Sequence, residues 1–154
     1  MATITCYTTK IAAAKTAIEI QASLAEHGVT KIMTEFADGR PVGITFEAAT
    51  EFGPRTFRLP VDVDAMALLL RQEKDRNQLP GISYNLATDR THAERVAWRV
   101  IAEWINAQMT LVATRMATLD QVMLPYLVID GDKSLYASYR EQGLRQLTGG
   151  DGDD

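Results

Sequence analysis

Cysteine is almost missing from this 154-residue chain, where Cys6 stands alone. One thiol excludes an internal disulfide framework and a zinc site built from several cysteines. No apolar run approaches the ~20 residues that a membrane-spanning helix needs. The opening residues do not show a basic segment followed by an apolar one. Together these absences predict a cytoplasmic protein. A surplus of positive charge is lacking too: 16 Lys and Arg face 20 Asp and Glu, for a net charge of -4. That excludes wrapping of duplex DNA by bulk charge alone. There is no Gly-x-Ser-x-Gly, no His-Glu-x-x-His and no glycine-rich phosphate loop after a strand. His27 and His92 lie on separate elements and suit helix-end roles. The sequence therefore names no catalytic residue, metal or cofactor, and a non-catalytic protein is the expectation.

What is present is the composition of an ordinary globular domain, 46% hydrophobic and 23% charged. Three acids, Asp151, Asp153 and Asp154, sit in the last four residues; without them 16 bases meet 17 acids. Gly and Asp have nothing apolar to bury, so the chain divides into one α+β domain over 1–147 and a disordered acidic tail over 148–154.

The first 60 residues read as a helix and a meander of strands. Thr3 to Tyr7 alternates weakly and fits an edge strand. Thr16 and Glu19 have capping-box spacing, followed by Ala17, Ile20 and Leu24 at helical spacing up to His27-Gly28. Ile32, Thr34 and Phe36 alternate up to a turn at Asp38-Gly39-Arg40-Pro41, and Val42, Ile44 and Phe46 alternate beyond it. A second turn at Phe52-Gly53-Pro54 leads into Arg55 to Leu59. Phe57 and Leu59 face the core with Ile44 and Phe46, while Thr56 and Arg58 face outward.

The remainder reads as helical. Asp62 caps a helix to about Arg71, and Gln72 to Thr88 reads as a long loop. The strongest helical pattern runs from Arg90 to Ala117, opening with Thr91 and Glu94 at capping spacing. Its apolar arc holds Val96, Val100, Ile101, Trp104, Ile105, Leu111 and Val112. Arg95, Arg99, Glu103, Asn106 and Thr110 form the opposite stripe. Thr118 to Gln121 starts a short helix that Pro125 bends or ends. A last helix spans about Ser134 to Gln142 and stops at Gly143. The core expected from these patterns is Ile20, Leu24, Ile44, Phe46, Phe57, Leu69, Val100 and Trp104.

Three constellations could carry chemistry. Asp130, Asp132, Ser134 and Glu141 imitate part of a calcium loop, but Leu135 holds the position where such a loop needs Gly. Glu35 and Glu47 could meet on the outer sheet face as a carboxylate pair, with Lys31 and Arg58 alongside turning that face into a mixed-charge patch. Eleven of the 16 bases are Arg, the side chain suited to planar recognition of phosphate. Arg55 and Arg58 on a strand, Arg71 and Arg76 near the loop, and Arg90, Arg95 and Arg99 on the long helix could converge on a phosphate backbone. The Arg99–Glu103 spacing also places an ion-pair partner at i+4, and structural salt bridges are the competing reading for any single Arg.

The stretches Lys15-Thr16-Ala17-Ile18-Glu19-Ile20, Gly53-Pro54-Arg55-Thr56-Phe57-Arg58-Leu59-Pro60, Ala93-Glu94-Arg95-Val96-Ala97-Trp98-Arg99 and Met123-Leu124-Pro125-Tyr126-Leu127 resemble small proteins encoded by tailed bacteriophages and prophages. The resemblance covers nearly the whole chain. It implies a setting inside a bacterial host, in phage DNA metabolism or against host defences, and assigns no residue a role.

Two functions follow as expectations. One is a phage protein that binds single-stranded nucleic acid through Arg55, Arg58, Arg76, Arg90, Arg95 and Arg99, in an annealing or accessory role. The other is an anti-defence protein that inhibits a bacterial immune protein or sequesters its small-molecule signal. Both allow a homo-oligomer. An enzyme using the Glu35–Glu47 face is a minor third.

Overall fold

A short two-residue turn organises the sheet. Asp38 and Gly39 have φ of 52° and 77°, the pair of left-handed conformations that lets a tight hairpin follow the twist of its strands. The computed structural model describes residues 4–148. In it that turn joins β1 (Val29–Ala37) to β2 (Arg40–Thr50), and a second turn leads to β3 (Gly53–Arg58). The three strands form an antiparallel sheet in the order β1-β2-β3. Phe46 lies opposite both Ile32 and Phe57, and its ring stacks on that of Phe57 with centroids 5.4 Å apart. Ile44, Phe46, Ala48, Phe57 and Leu59 are all buried, as alternation requires. Phe36 and Val42 are the exceptions: the register shifts between Glu35 and Phe36, and next to the turn both side chains are exposed, Phe36 to 60%.

Helix α1 (Ala13–Ala25) starts a turn earlier than the capping pattern predicts. Its N-cap is Ala12, with no side-chain cap. Thr16 sits inside the helix, fully buried, with its amide already bonded to the Ala12 carbonyl. The weak strand expected over Thr3 to Tyr7 is not formed among its described residues: Ile4 lies in a bend and residues 5–8 are turns, while Thr3 lies outside the described residues.

Helix α2 (Val63–Asp75) is capped by Asp62, as expected, but outruns Arg71. The long loop is correspondingly shorter, and it contains α3 (Tyr84–Ala87), capped by Ser83. Leu79 and Ile82 are buried between these helices, which explains why so polar a stretch is folded down.

Helix α4 (Arg90–Ala113) is capped by Asp89 rather than Thr91. It closes four residues before Ala117. Arg115 turns left-handed with φ 63°, its N–H bonds to the Val112 carbonyl and the Met116 N–H to the Leu111 carbonyl; this is the paired-bond helix stop usually built on Gly. The buried face of α4 includes Ala93, Val96, Ala97, Trp98, Ala102, Ile105 and Met109. Trp98, not Trp104, is the fully buried indole; Trp104, like Leu69 and Val100, only packs at a core's margin. The reason is geometric. Alanines let α1 and α2 approach α4 closely, so the small residues rather than the largest apolar arc mark the contact line. The two cores meet along α4: one lies under the sheet with α1, Trp98 and Ile105, the other joins Leu70, Leu79, Ala93 and Val96.

After α5 (Leu119–Met123), which carries the expected capping box from Thr118, a 3₁₀ turn at Leu124–Tyr126 contains Pro125. A small hairpin follows, β4 (Val128–Asp130) and β5 (Lys133–Ser134), and then α6 (Leu135–Leu147). Gly143 does not stop α6, since glycine in a helix interior costs only about 1 kcal/mol. Thr148 is its C-cap; the rest of the acidic tail lies outside the described residues.

Candidate functional site

The six candidate arginines are spread over the fold. Arg58, on the outer sheet face, pairs with Glu35. Its guanidinium lies across the strand over Gly43, where a Cβ would come within 2.7 Å of Nη2. Arg76 reaches Glu73 at 3.3 Å, Arg90 reaches Asp64 at 2.7 Å and Arg99 reaches Glu19 at 2.6 Å. The partner of Arg99 is thus on α1, not at the i+4 position Glu103. Arg55 is exposed and donates to the neighbouring Pro54 carbonyl. Arg95 is half-buried against α4's own His92. Four of the six are therefore neutralised by an acid in place.

The outer-face carboxylates stay apart. Glu47 lies opposite Lys31, its ion-pair partner at 3.8 Å, while Glu35 lies opposite Gly43. The face is the mixed-charge patch. The calcium-like fragment is a hairpin turn with Gly131 at φ 58°, and Glu141 is taken by Lys133. That pairing, chiefly through its hydrogen bond, holds the Glu141 carboxyl below its ordinary range. Among the described residues no group of three or more His, Cys, Asp or Glu could hold a metal ion. No described helix is long and apolar enough to cross a membrane. Burial first, and then the Glu103 carboxylate, push the Cys6 thiol up from 9.0 to about 11, which makes it a poor nucleophile at neutral pH.

The C-terminal arm is different in kind. Helix α6 buries none of its residues fully, yet it carries Tyr136, Tyr139, Leu144 and Leu147. Tyr139 is 74% exposed and Leu147 85%. Tyr136, Tyr139, Gly143 and Leu147 fall three or four apart and so share one stripe. On one side of Tyr139 a groove of about 500 Å³ opens against Leu124 and Pro125, lined also by Leu135 and Tyr136. On the other a groove of about 340 Å³ runs along Arg140, Leu144 and Leu147. The Lys133–Glu141 pair ties the small hairpin to α6 within the arm, and the arm meets the body through the Leu135 N–H on the Leu127 carbonyl and the bridge from Leu127 to Phe57. Arg140 makes no ion pair among the described residues.

Comparison with known proteins adds nothing to this geometry. No protein family, curated protein or solved structure matches the chain. The site therefore rests on its own chemistry. Sequence reading passed over the arm because Gly143 reads as a helix stop. Continuing the three-and-four spacing from Tyr139 through Gly143 to Leu147 is the signal that would have found it.

Proposed function

We propose that the protein is a non-catalytic binding protein whose C-terminal arm docks an amphipathic helix of a partner protein. One observation carries the reading: a helix bearing two tyrosines and two leucines on faces that the other described residues leave open. Contiguous apolar surface of this kind marks interaction sites, and two grooves flanking a tyrosine suit anchors spaced three or four apart on a partner helix. Arg140 beside the grooves calls for an acid next to those anchors. Combined with the bacteriophage resemblance, this favours an inhibitor that occupies a surface of a host defence protein in the bacterial cytoplasm.

A photo-cross-linking residue placed at Tyr139 in host cells tests this, with one at Thr110 on α4 as control. The expected result is a protein adduct through position 139 alone, followed by loss of binding to that purified protein in Tyr139→Asp without loss of thermal stability. No adduct, or an adduct only between copies of this chain, overturns it.

Single-strand binding is the second reading, and exposed Arg55, which has no acidic partner among the described residues, is what favours it. Wild-type protein that binds oligonucleotides, with a log affinity that falls by about 0.7 per phosphate contact against log salt, would support it. Failure to bind at low salt removes it.

A further inference from the structure

Strand β1 is one edge of the three-stranded sheet, and among the described residues no strand pairs with its outer side. The opposite edge is β3, where Phe57 bridges to Leu127 at the root of the arm. An open edge is a row of unpaired amides and carbonyls, and it serves as a template for another strand. Pairing with β2 is regular over Lys31, Ile32, Met33, Thr34 and Glu35, and the register shifts at both ends of that stretch. Met33 is its centre.

The backbone directions follow from β2. The Ile44 carbonyl accepts from the Leu59 N–H, so the polar groups of Ile44 point toward β3 and those of Thr45, the next residue, toward β1. Met33 lies opposite Thr45 and so turns its amide and carbonyl toward β2. Those of Ile32 and Thr34 therefore point out from the free edge. Side chains alternate in the other sense: Lys31, Met33 and Glu35 stand on the outer face, Ile32 and Thr34 on the face toward the core. Met33 is 57% exposed. Beneath the edge, Gln21 of α1 donates to the Thr34 hydroxyl at 2.6 Å. Ile18, three residues earlier and so on the same stripe of α1, is exposed, as is Phe36.

We infer that β1 pairs antiparallel with β1 of a second copy of this chain, about a two-fold axis through Met33, extending one sheet across both copies. The charges select this register. Turned about Met33, Lys31 of each copy meets Glu35 of the other. The row across the joined outer face then alternates in sign, from Glu47 through Lys31 of one copy to Glu35 and Arg58 of the second. Its first and last contacts exist already within each chain, Lys31 with Glu47 and Glu35 with Arg58. Gly43, having no side chain, leaves room for Arg58 to reach across β2. A two-fold axis at Lys31 or at Glu35 would set like charges opposite each other, which is destabilising. The axis at Met33 also makes Ile32 and the second copy's Thr34 a hydrogen-bonded pair, twice, and brings the two Met33 side chains together at the closer, non-hydrogen-bonded position. One patch answering itself in this way is an isologous interface. It leaves both arms open at the far edges of the sheet.

Sedimentation velocity on the full chain over a range of concentrations tests this. The wild type should sediment as a dimer. Met33→Lys and Met33→Glu should each weaken the dimer by more than about tenfold, because like charges held opposite each other across an interface are strongly disfavoured. Both should keep the wild-type circular dichroism spectrum, since the side chain is exposed in the single chain. Mixed together, the two variants should recover a dimer containing one of each, which requires that position 33 meet itself across the axis. Tyr139→Asp should leave the dimer intact. A monomeric wild type, a dimer that persists in Met33→Lys, or failure of the mixed variants to associate overturns the inference. A dimer lost in Tyr139→Asp assigns self-association to the arm and overturns it too.

Discussion

Thr16 shows how much a single side chain's setting decides. Its spacing from Glu19 is that of a cap, but the hydroxyl is fully buried with no partner. Such a group costs about 1–3 kcal/mol of desolvation. Thr16→Val keeps the shape and removes the hydroxyl, so it should stabilise the protein by about 1 kcal/mol in urea unfolding, whereas loss of a cap would destabilise it by a similar amount. Trp98→Ala should cost about 3–5 kcal/mol, while Trp104→Ala, removing an indole that packs edge-on against Tyr126 at the margin, should cost about half as much. Cys6 gives a pH test. Because its thiol is raised from 9.0 to about 11 in the folded chain, the folded state holds this proton longer than the unfolded one. That contribution to stability is complete below pH 9 and is lost as the pH rises towards 11. Alkylation of native protein should accelerate near the higher value, and of unfolded protein near the lower.

Among the elements, helix ends depart furthest from pattern reading. Helices α2 and α4 both close with a left-handed residue that is not glycine, Asn77 at φ 59° and Arg115 at φ 63°. The paired bonds of the stop hold Arg115 there despite its Cβ. Arg115→Gly relieves that strain and should raise stability by about 1 kcal/mol in thermal unfolding, with α4 unchanged by circular dichroism. At α6 the opposite holds: Gly143 sits in mid-helix, where a Cβ would meet nothing within 4 Å. A glycine is a stop only where the chain needs a left-handed turn, and after Gln142 it does not.

At the scale of the whole molecule, the body and the arm differ in how they are held. Among the described residues, every fully buried side chain lies at or before Met123. A chain ending at Leu127 should keep a cooperative melt and lose less than about 2 kcal/mol, since the segment removed contributes only partly buried surface. Loss of cooperative unfolding would mean that α6 completes the core. The body's ion pairs tie distant segments together: Arg99 to Glu19 joins α4 to α1, Arg40 to Glu94 joins the hairpin to α4, and Arg90 to Asp64 joins α4 to α2. Partly exposed pairs of this kind contribute up to about 1 kcal/mol each, so they fix orientation more than they add stability.

The α+β class, the three-stranded meander and its inward row of Ile44, Phe46, Phe57 and Leu59 were legible in the sequence, because alternation and turn residues are local signals that need no partner to be read. So were the Asp62 and Thr118 caps. The arginines were legible as a set but not as a site, since whether a guanidinium faces phosphate or carboxylate depends on what folds beside it: Glu19 for Arg99, Asp64 for Arg90. Only the tertiary structure decided that Trp98 rather than Trp104 is central, that Arg40 is answered by Glu94, and that the apolar stripe of α6 is left uncovered by the other described residues. Each of these turns on which helix packs against which, and that is set by contacts between residues far apart in the chain, where local periodicity carries no information.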